Sequence, residues 1–470
     1  MSRRLSLASL LVVAACGGAP AVPTPPPVGD HGVAAANLTA QLPPYLDALP
    51  RFSGFVLVAQ HDQILFEHAY GFADTMTKRV ATADTSFRIG SVTKQFTSAA
   101  ILQLEQAGKL SVTDTVGKLL PDYAGPGKDV TVHQLLTHTA GIPDYTQNDA
   151  LMEKRADKIS PREILHSFWE QPLEFAPGSK HKYSNSGYII LGLIIEKVSG
   201  EPYDHYMQTH LFAPAKLERT VVGDAIGTAD RAEGYGRDRQ PAHPIDMSVP
   251  YAAGAIRSSA RDLVRWHRAL SGDAILSASE RAKLYQPVLD KYAYGWVVDE
   301  VAGHAVVWHN GGIDGFGTSY WRVPDADLVV VAWTNVEGVR IDPVARAAVE
   351  AGLGGKLTPP AKEAPGTLDT ALVERMVGTY TLDEEGKATL TKLGAPPKLI
   401  EAITTMEIAA TPTGFTAKPA GQPQVELVPS ADGSFWNAES EVRIRVDVPA
   451  SGPVKVFHLE QHKLKVTYTR

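Results

Sequence analysis

The stretch Phe87-Arg88-Ile89-Gly90-Ser91-Val92-Thr93-Lys94 decides how the rest of the chain is read. Gly90 precedes an Ala-, Leu-, Ile- and Gln-rich run, and Gly108 follows it, so residues 91–107 are predicted to form a helix that stops at Gly108. Ser91 and Lys94 are three apart at its start, which places both side chains on one face. A serine hydroxyl is a poor nucleophile until a neighbouring base takes its proton. An amine within hydrogen-bond reach does this once burial lowers its pKa. The helix N-terminus also points free N–H groups at a developing oxyanion. The spacing alone is weak evidence: 25 Ser and 22 Lys in 470 residues give about one S-x-x-K by chance, and the chain has a second, Ser179-x-x-Lys182. The bland alternative is an N-cap serine followed by a surface lysine. Val92, Phe96, Ala99 and Ile101 surround the pair with apolar residues and argue for burial.

Two further motifs lie downstream. Tyr183-Ser184-Asn185 is the only Y-x-N of the sequence. His309-Asn310-Gly311-Gly312 closes the apolar run Val306-Val307-Trp308 and leads into a predicted Gly-rich turn. Taken singly, Tyr183 is also readable as a core tyrosine, Asn185 as a cap of a helix starting near Gly187, and His309 as a strand-end histidine. Together, in the order S-x-x-K, Y-x-N, H-x-G, the motifs resemble those of the β-lactamase and penicillin-binding-protein superfamily of serine hydrolases. The class C and esterase- or D-aminopeptidase-like branch is the most similar. The phrases Leu135-Leu136-Thr137-His138-Thr139-Ala140-Gly141, Phe175-Ala176-Pro177-Gly178 and Ala253-Gly254-Ala255-Ile256-Arg257-Ser258-Ser259 are similar to phrases of that family at these places. The resemblance covers residues 38–355. Separations of 92 residues from Ser91 to Tyr183 and 126 from Tyr183 to His309 are also similar to those of the family.

The resemblance implies a site. Ser91 is the expected acylated nucleophile, Lys94 the partner that removes or relays its proton, and Tyr183 the expected general base, its phenol pKa lowered by Lys94. Which of Lys94 and Tyr183 acts as the base stays open at this point. Asn185 is expected to bind the substrate amide and Lys94; the N–H groups of Ser91 and Gly312 are expected to form the oxyanion hole, with Gly311 and Gly312 letting substrate approach the strand. His309 stands where many relatives have a lysine, a fixed cation for a substrate carboxylate; a histidine near pH 7 is mostly neutral. Arg88 and Arg257 are the remaining candidates for positive charge. The implied reaction is hydrolysis of an amide or ester through an acyl-enzyme, without cofactor, on a small ester, a D-amino-acid peptide or a β-lactam. A β-lactamase or D-alanyl-D-alanine carboxypeptidase proper is the nearer alternative, and a weakly catalytic peptidoglycan-binding homologue the more distant one.

Composition excludes much else. The chain is 44% hydrophobic and 21% charged, with one cysteine, so it has no intrachain disulfide, Cys-based zinc site or CxxC pair. A net charge of −7 argues against nucleic-acid partners. His133 and His138 lack an H-E-x-x-H partner, so no metal is expected and His138 reads as a structural turn residue.

The lone cysteine is Cys16. Arg3 and Arg4 precede an apolar run from Leu5 to Ala15, the layout of a secretory signal. Val13-Ala14-Ala15-Cys16-Gly17 resembles a bacterial lipoprotein box, which implies cleavage after residue 15 and a lipid on Cys16. Loss of Arg3 and Arg4 takes the net charge from −7 to −9. The expected address is periplasmic, anchored to the bacterial membrane (the outer one, since Gly17 is not aspartate), with secretion as the plain-signal alternative. Residues 16–37, rich in Pro, Ala and Gly, read as a tether.

The predicted architecture is α+β: an antiparallel sheet flanked by helices over 38–355, with strands at both ends of the segment sharing that sheet. Residues 55–58 and 64–66 read as a hairpin; 130–137, 161–169, 187–198 and 260–270 as helices; 294–298, 305–309, 318–323 and 328–334 as strands. A Pro-rich linker, 356–367, leads to a small antiparallel barrel over 368–470, similar to the lipocalin-like appendages of some relatives. There Val442, Ile444, Val446 and Val448 alternate with Arg443, Arg445 and Asp447, and residues 397–404 read as a brief helix. Oligomeric state is not readable.

Overall fold

A computed structural model describes residues 31–470, apart from positions 50–51, 62, 360–363, 394, 396, 421–423, 438–439 and 462–463. Cys16 and the signal-like segment lie outside the described residues. The described residues divide into two compact units, one holding residues 31–47 and 52–359, the other residues 364–470.

The first unit is built on a six-stranded antiparallel sheet of β1 (Gly54–Gln60), β2 (Gln63–Tyr70), β3 (Val297–Val301), β4 (His304–Ile313), β5 (Phe316–Val323) and β6 (Leu328–Thr334), in the order β2-β1-β6-β5-β4-β3. Both ends of the segment do share it: β1 pairs with β6, Phe55 opposite Trp333 and Gln60 opposite Leu328. Central strands are covered on both faces, which explains why Phe55-Val56-Leu57-Val58 and Leu328-Val329-Val330-Val331 are continuous apolar runs, whereas edge strand β2 mixes buried and exposed positions. One face carries α1 (His31–Asp47) and the C-terminal helix of the unit, Asp342–Gly352; the other carries α2 (Thr93–Gln106), α3 (Asn185–Ser199) and α4 (Ala260–Ser271). Phe87 and Phe55 stack on Trp333 between sheet and helices, and Phe96 stacks on Trp266.

Several boundaries move. The stretch read as a tether to residue 37 turns helical at His31. Leu38, Leu42 and Leu46 of α1 are buried, and Asn37 donates to the Ala351 carbonyl; tertiary packing recruits residues whose local composition favours a coil. The strand predicted at 294–298 is Val297–Val301, Tyr294 and Trp296 being buried in the loop before it. The His309-Asn310-Gly311-Gly312 segment does not lead into a turn. It runs inside β4 to Ile313, and the chain reverses only at Asp314–Gly315.

The second unit is a closed eight-stranded antiparallel barrel of β7 (Gly378–Leu382), β8 (Thr405–Thr411), β9 (Gly414–Pro419), β10 (Val425–Pro429), β11 (Phe435–Asn437), β12 (Val442–Val446), β13 (Val456–Gln461) and β14 (Leu464–Thr469), closed by β7 against β14. Tyr380, Phe415, Phe435, Phe457 and Tyr468 fill its interior. Strand β12 ends at Val446; Val448, predicted to continue the alternation, lies beyond it and is 59% exposed. The helix Pro397–Ile403 falls where the sequence places it, and two more, Thr370–Met376 and Glu384–Lys392, were not foreseen.

Candidate active site

The nucleophile segment begins with a backbone constraint. Gly90 has φ +51°, a left-handed conformation, and starts a single 3₁₀ turn, Gly90–Val92, that feeds into α2. Ser91 therefore sits in this turn rather than in the α-helix predicted for it, with Lys94 one turn further on. Strand β4 passes directly over the turn. A Cβ on Gly311 would fall 1.9 Å from the Ile89 carbonyl oxygen and 3.0 Å from the Ser91 nitrogen. Glycine at 311 is the residue that lets strand and nucleophile turn touch, whereas a Cβ on Gly312 would meet nothing within 4 Å.

Three sequence-predicted residues converge here. Lys94 Nζ lies 3.1 Å from Ser91 Oγ, and the Tyr183 hydroxyl donates to the same oxygen at 2.8 Å. Nζ also donates to Asn185 Oδ1 and to the Ala253 carbonyl, each at 2.8 Å. Asn185 is the first residue of α3 rather than its cap. Its Nδ2 donates to Asp144 Oδ2 at 3.1 Å, and because a carboxylate only accepts, this fixes the amide with Oδ1 toward Lys94.

The electrostatics differ from expectation. Lys94 is fully buried, and desolvation pushes its pKa down from 10.5 to about 7, the Asp144 carboxylate offsetting only part of that. Tyr183, expected to be acidified by Lys94, is instead pushed up by burial. At neutral pH the phenol is a proton donor and the amine is poised between forms. Two N–H bonds of the neutral amine are committed to Asn185 and Ala253, both obligatory acceptors at these atoms, so its lone pair faces Ser91 Oγ. Ser91 itself remains accessible.

The other predicted cations are engaged elsewhere. Arg88 pairs with Asp224 at 2.6 Å, and buried Arg257 bonds Asp224 and the Ser86 carbonyl. His309 is buried as well, its pKa pushed down to about 3 by desolvation and the nearby Lys94 charge. His138 is a turn residue at φ +56°, and its ring packs tilted against that of Tyr183, centroids 4.2 Å apart. His133 and His138 bond the hydroxyls of Tyr294 and Tyr292. Among the described residues no group of three His, Cys, Asp or Glu is arranged to hold a metal ion.

Asp144, the Ala253 carbonyl and Tyr292 were missed as site residues. Ala253 and His138 do lie in the family-like phrases, whose recurrence is the available signal; Asp144 and Tyr292 had none.

Residues 43–353 match the family model described as Beta-lactamase. Penicillin-binding protein 4* of Bacillus subtilis is 29% identical over 418 residues, 82% of this chain and 88% of that protein. Among solved structures, a D-stereospecific amidohydrolase from Streptomyces sp. is 25% identical with a TM-score of 0.58, covering 70% of this chain and 100% of its own. The octameric penicillin-binding protein homologue of Pyrococcus abyssi, 21% identical, shares the fold over 93% of this chain and 100% of its own at a TM-score of 0.61. A family match that spans all three motifs, on a fold that brings them to one serine, makes the chain a member of the beta-lactamase family of serine hydrolases.

Proposed function

We propose that the protein hydrolyses amide or ester bonds through an acyl-enzyme on Ser91, with Lys94 as the base. The observation that carries this is the commitment of two Nζ hydrogens to Asn185 and Ala253, which aims the remaining direction at Ser91 Oγ. In acylation Oγ attacks the carbonyl carbon and its proton passes to Nζ. The oxyanion is received by the N–H groups of Ser91 and Gly312. The C–N or C–O bond then breaks, the leaving group takes the Tyr183 proton, and the Lys94 ammonium restores it. Water repeats the sequence on the acyl-enzyme, releasing the acid and regenerating Ser91. The name of one relative, a D-stereospecific amidohydrolase, favours amides of D-configured acids as substrates.

A serine-directed fluorophosphonate tests the reading against that of a binding homologue. Intact mass is expected to show one adduct per wild-type chain and none on Ser91→Ala; unlabelled wild type overturns the proposal. The pH profile tests the base. Because the neutral amine is the active form, kcat/KM for p-nitrophenyl acetate is expected to fall about tenfold per unit below pH 7 and to level off above it. A rate flat from pH 5 to 8 excludes Lys94 as the base.

A further inference from the structure

Beside the nucleophile, four hydrogen bonds run in one direction through buried side chains. The Ser184 backbone N–H donates to His138 Nδ1 at 3.2 Å, which makes this nitrogen the unprotonated one. Burial, reinforced by the Lys94 charge, holds His138 well below the usual histidine pKa, so the ring is neutral and its proton sits on Nε2. That N–H faces the Tyr292 hydroxyl at 3.1 Å. Having accepted there, Tyr292 gives its own proton to His309 Nε2 at 2.9 Å. His309, also neutral, carries its proton on Nδ1 and donates it to the Asn310 carbonyl at 2.5 Å. Backbone groups at both ends fix the direction of the whole chain, and Tyr292 is the one member whose hydroxyl must both accept and donate. Residues 138, 292 and 309 are each only 3% exposed. The ionisable groups facing them are Lys94, Tyr183, Tyr188 and His181, the last paired with Asp290.

We infer that Tyr292 is a specificity-determining positioning residue: by capping His309 Nε2 it leaves this point of β4 with neither a cation nor a free N–H for a substrate carboxylate. The site is thereby biased toward esters and amides that carry no carboxylate next to the scissile bond. Two observations support that direction. The His309 ring lies 6.2 Å from that of Tyr183, and two residues on Gly311 abuts the Ser91 nitrogen, so the ring stands at the edge of the reacting centre. Arg88 and Arg257, the other cations predicted near it, are both held by Asp224. The substrate part of this inference rests on the acyl-enzyme reading; the hydrogen-bond direction does not.

The test pairs two acetate esters of equal shape, 3-acetoxybenzamide and 3-acetoxybenzoate. Wild type is expected to favour the amide-bearing ester by at least about tenfold in kcat/KM at pH 6. In Tyr292→Phe, which frees His309 Nε2 to share a proton with the carboxylate of the bound ester, that countercharge offsetting the burial which keeps the ring neutral, the ratio is expected to fall at least about tenfold. A wild-type ratio near one, or a ratio unchanged in the variant, overturns the inference. Imidazole ¹⁵N NMR of the wild-type protein needs no variant. His309 is expected as the neutral Nδ1–H tautomer and His138 as the neutral Nε2–H tautomer at pH 6, and a charged or Nε2–H His309 overturns the cap. If neither ester turns over above the Ser91→Ala background, the acyl-enzyme reading and the selectivity fail together, while the NMR result still decides the direction of the chain.

Discussion

Replacing Lys94 with Met is expected to lower kcat/KM for p-nitrophenyl acetate about 10³-fold, a size within the range for loss of a positioned base. The two side chains have similar length, so the change removes the amine and leaves the cavity filled. Ser91 then keeps only the Tyr183 hydroxyl, which donates to Oγ and cannot accept its proton. A residual rate within tenfold of wild type assigns the base elsewhere. The same variant reports on stability. Burial lowers the Lys94 pKa from 10.5, the ordinary value of a lysine amine, to about 7, so between those values the unfolded chain binds the extra proton. Stability of the wild type relative to Lys94→Met is therefore expected to rise with pH through that window, by about 1.4 kcal/mol per unit. Below pH 7 both states are protonated and the slope vanishes. Urea midpoints at pH 6, 7, 8 and 9 measure it, and parallel curves for the two proteins exclude the lowered pKa.

Gly311→Ala is expected to cost about 10²-fold in kcat, the scale on which a displacement of roughly 1 Å at a reacting group acts. The added methyl would sit 1.9 Å from the Ile89 oxygen, so either β4 or the Gly90–Val92 turn must retreat, and each carries one of the two N–H groups proposed to receive the oxyanion. The hydroxyl, amine and phenol are untouched. Fluorophosphonate labelling is therefore expected to slow with turnover while the folded fraction, read by circular dichroism, persists. Gly227→Ala, at a glycine with no part in the site and with nothing within 4 Å of its Cβ, is the internal control: a comparable loss there would separate the effect from the Gly311 contact.

Much of this site was legible from residue type and order. Ser91, Lys94, Tyr183 and Asn185 are side chains whose chemistry is stated by their identity, and the structure brings all four within hydrogen-bond reach. What stayed hidden depends on tertiary placement. The Ala253 acceptor is a backbone oxygen, identical at every residue. Asp144 matters only because its carboxylate meets Asn185, 41 residues later. The sign of the Tyr183 shift was misjudged because burial, absent from a sequence, outweighs a neighbouring amine. At the level of the fold, the paired ends of the sheet follow from apolar runs at both ends of the segment. Helix α1 does not, because His31 to Asn37 gain their helicity from packing that starts at Leu38.

The pairing of β1 with β6 has a consequence for biosynthesis. Gly54 and Leu328 are 274 positions apart, and at 5–20 residues per second translation needs roughly 15–55 s to cross that interval. Throughout it, Gly54-Phe55-Val56-Leu57-Val58-Ala59 can pair with β2 on one side only. This uncharged, β-prone edge is the kind of segment that recruits other nascent chains. A strand interior to the finished sheet is thus an open edge for as long as the chain is being made.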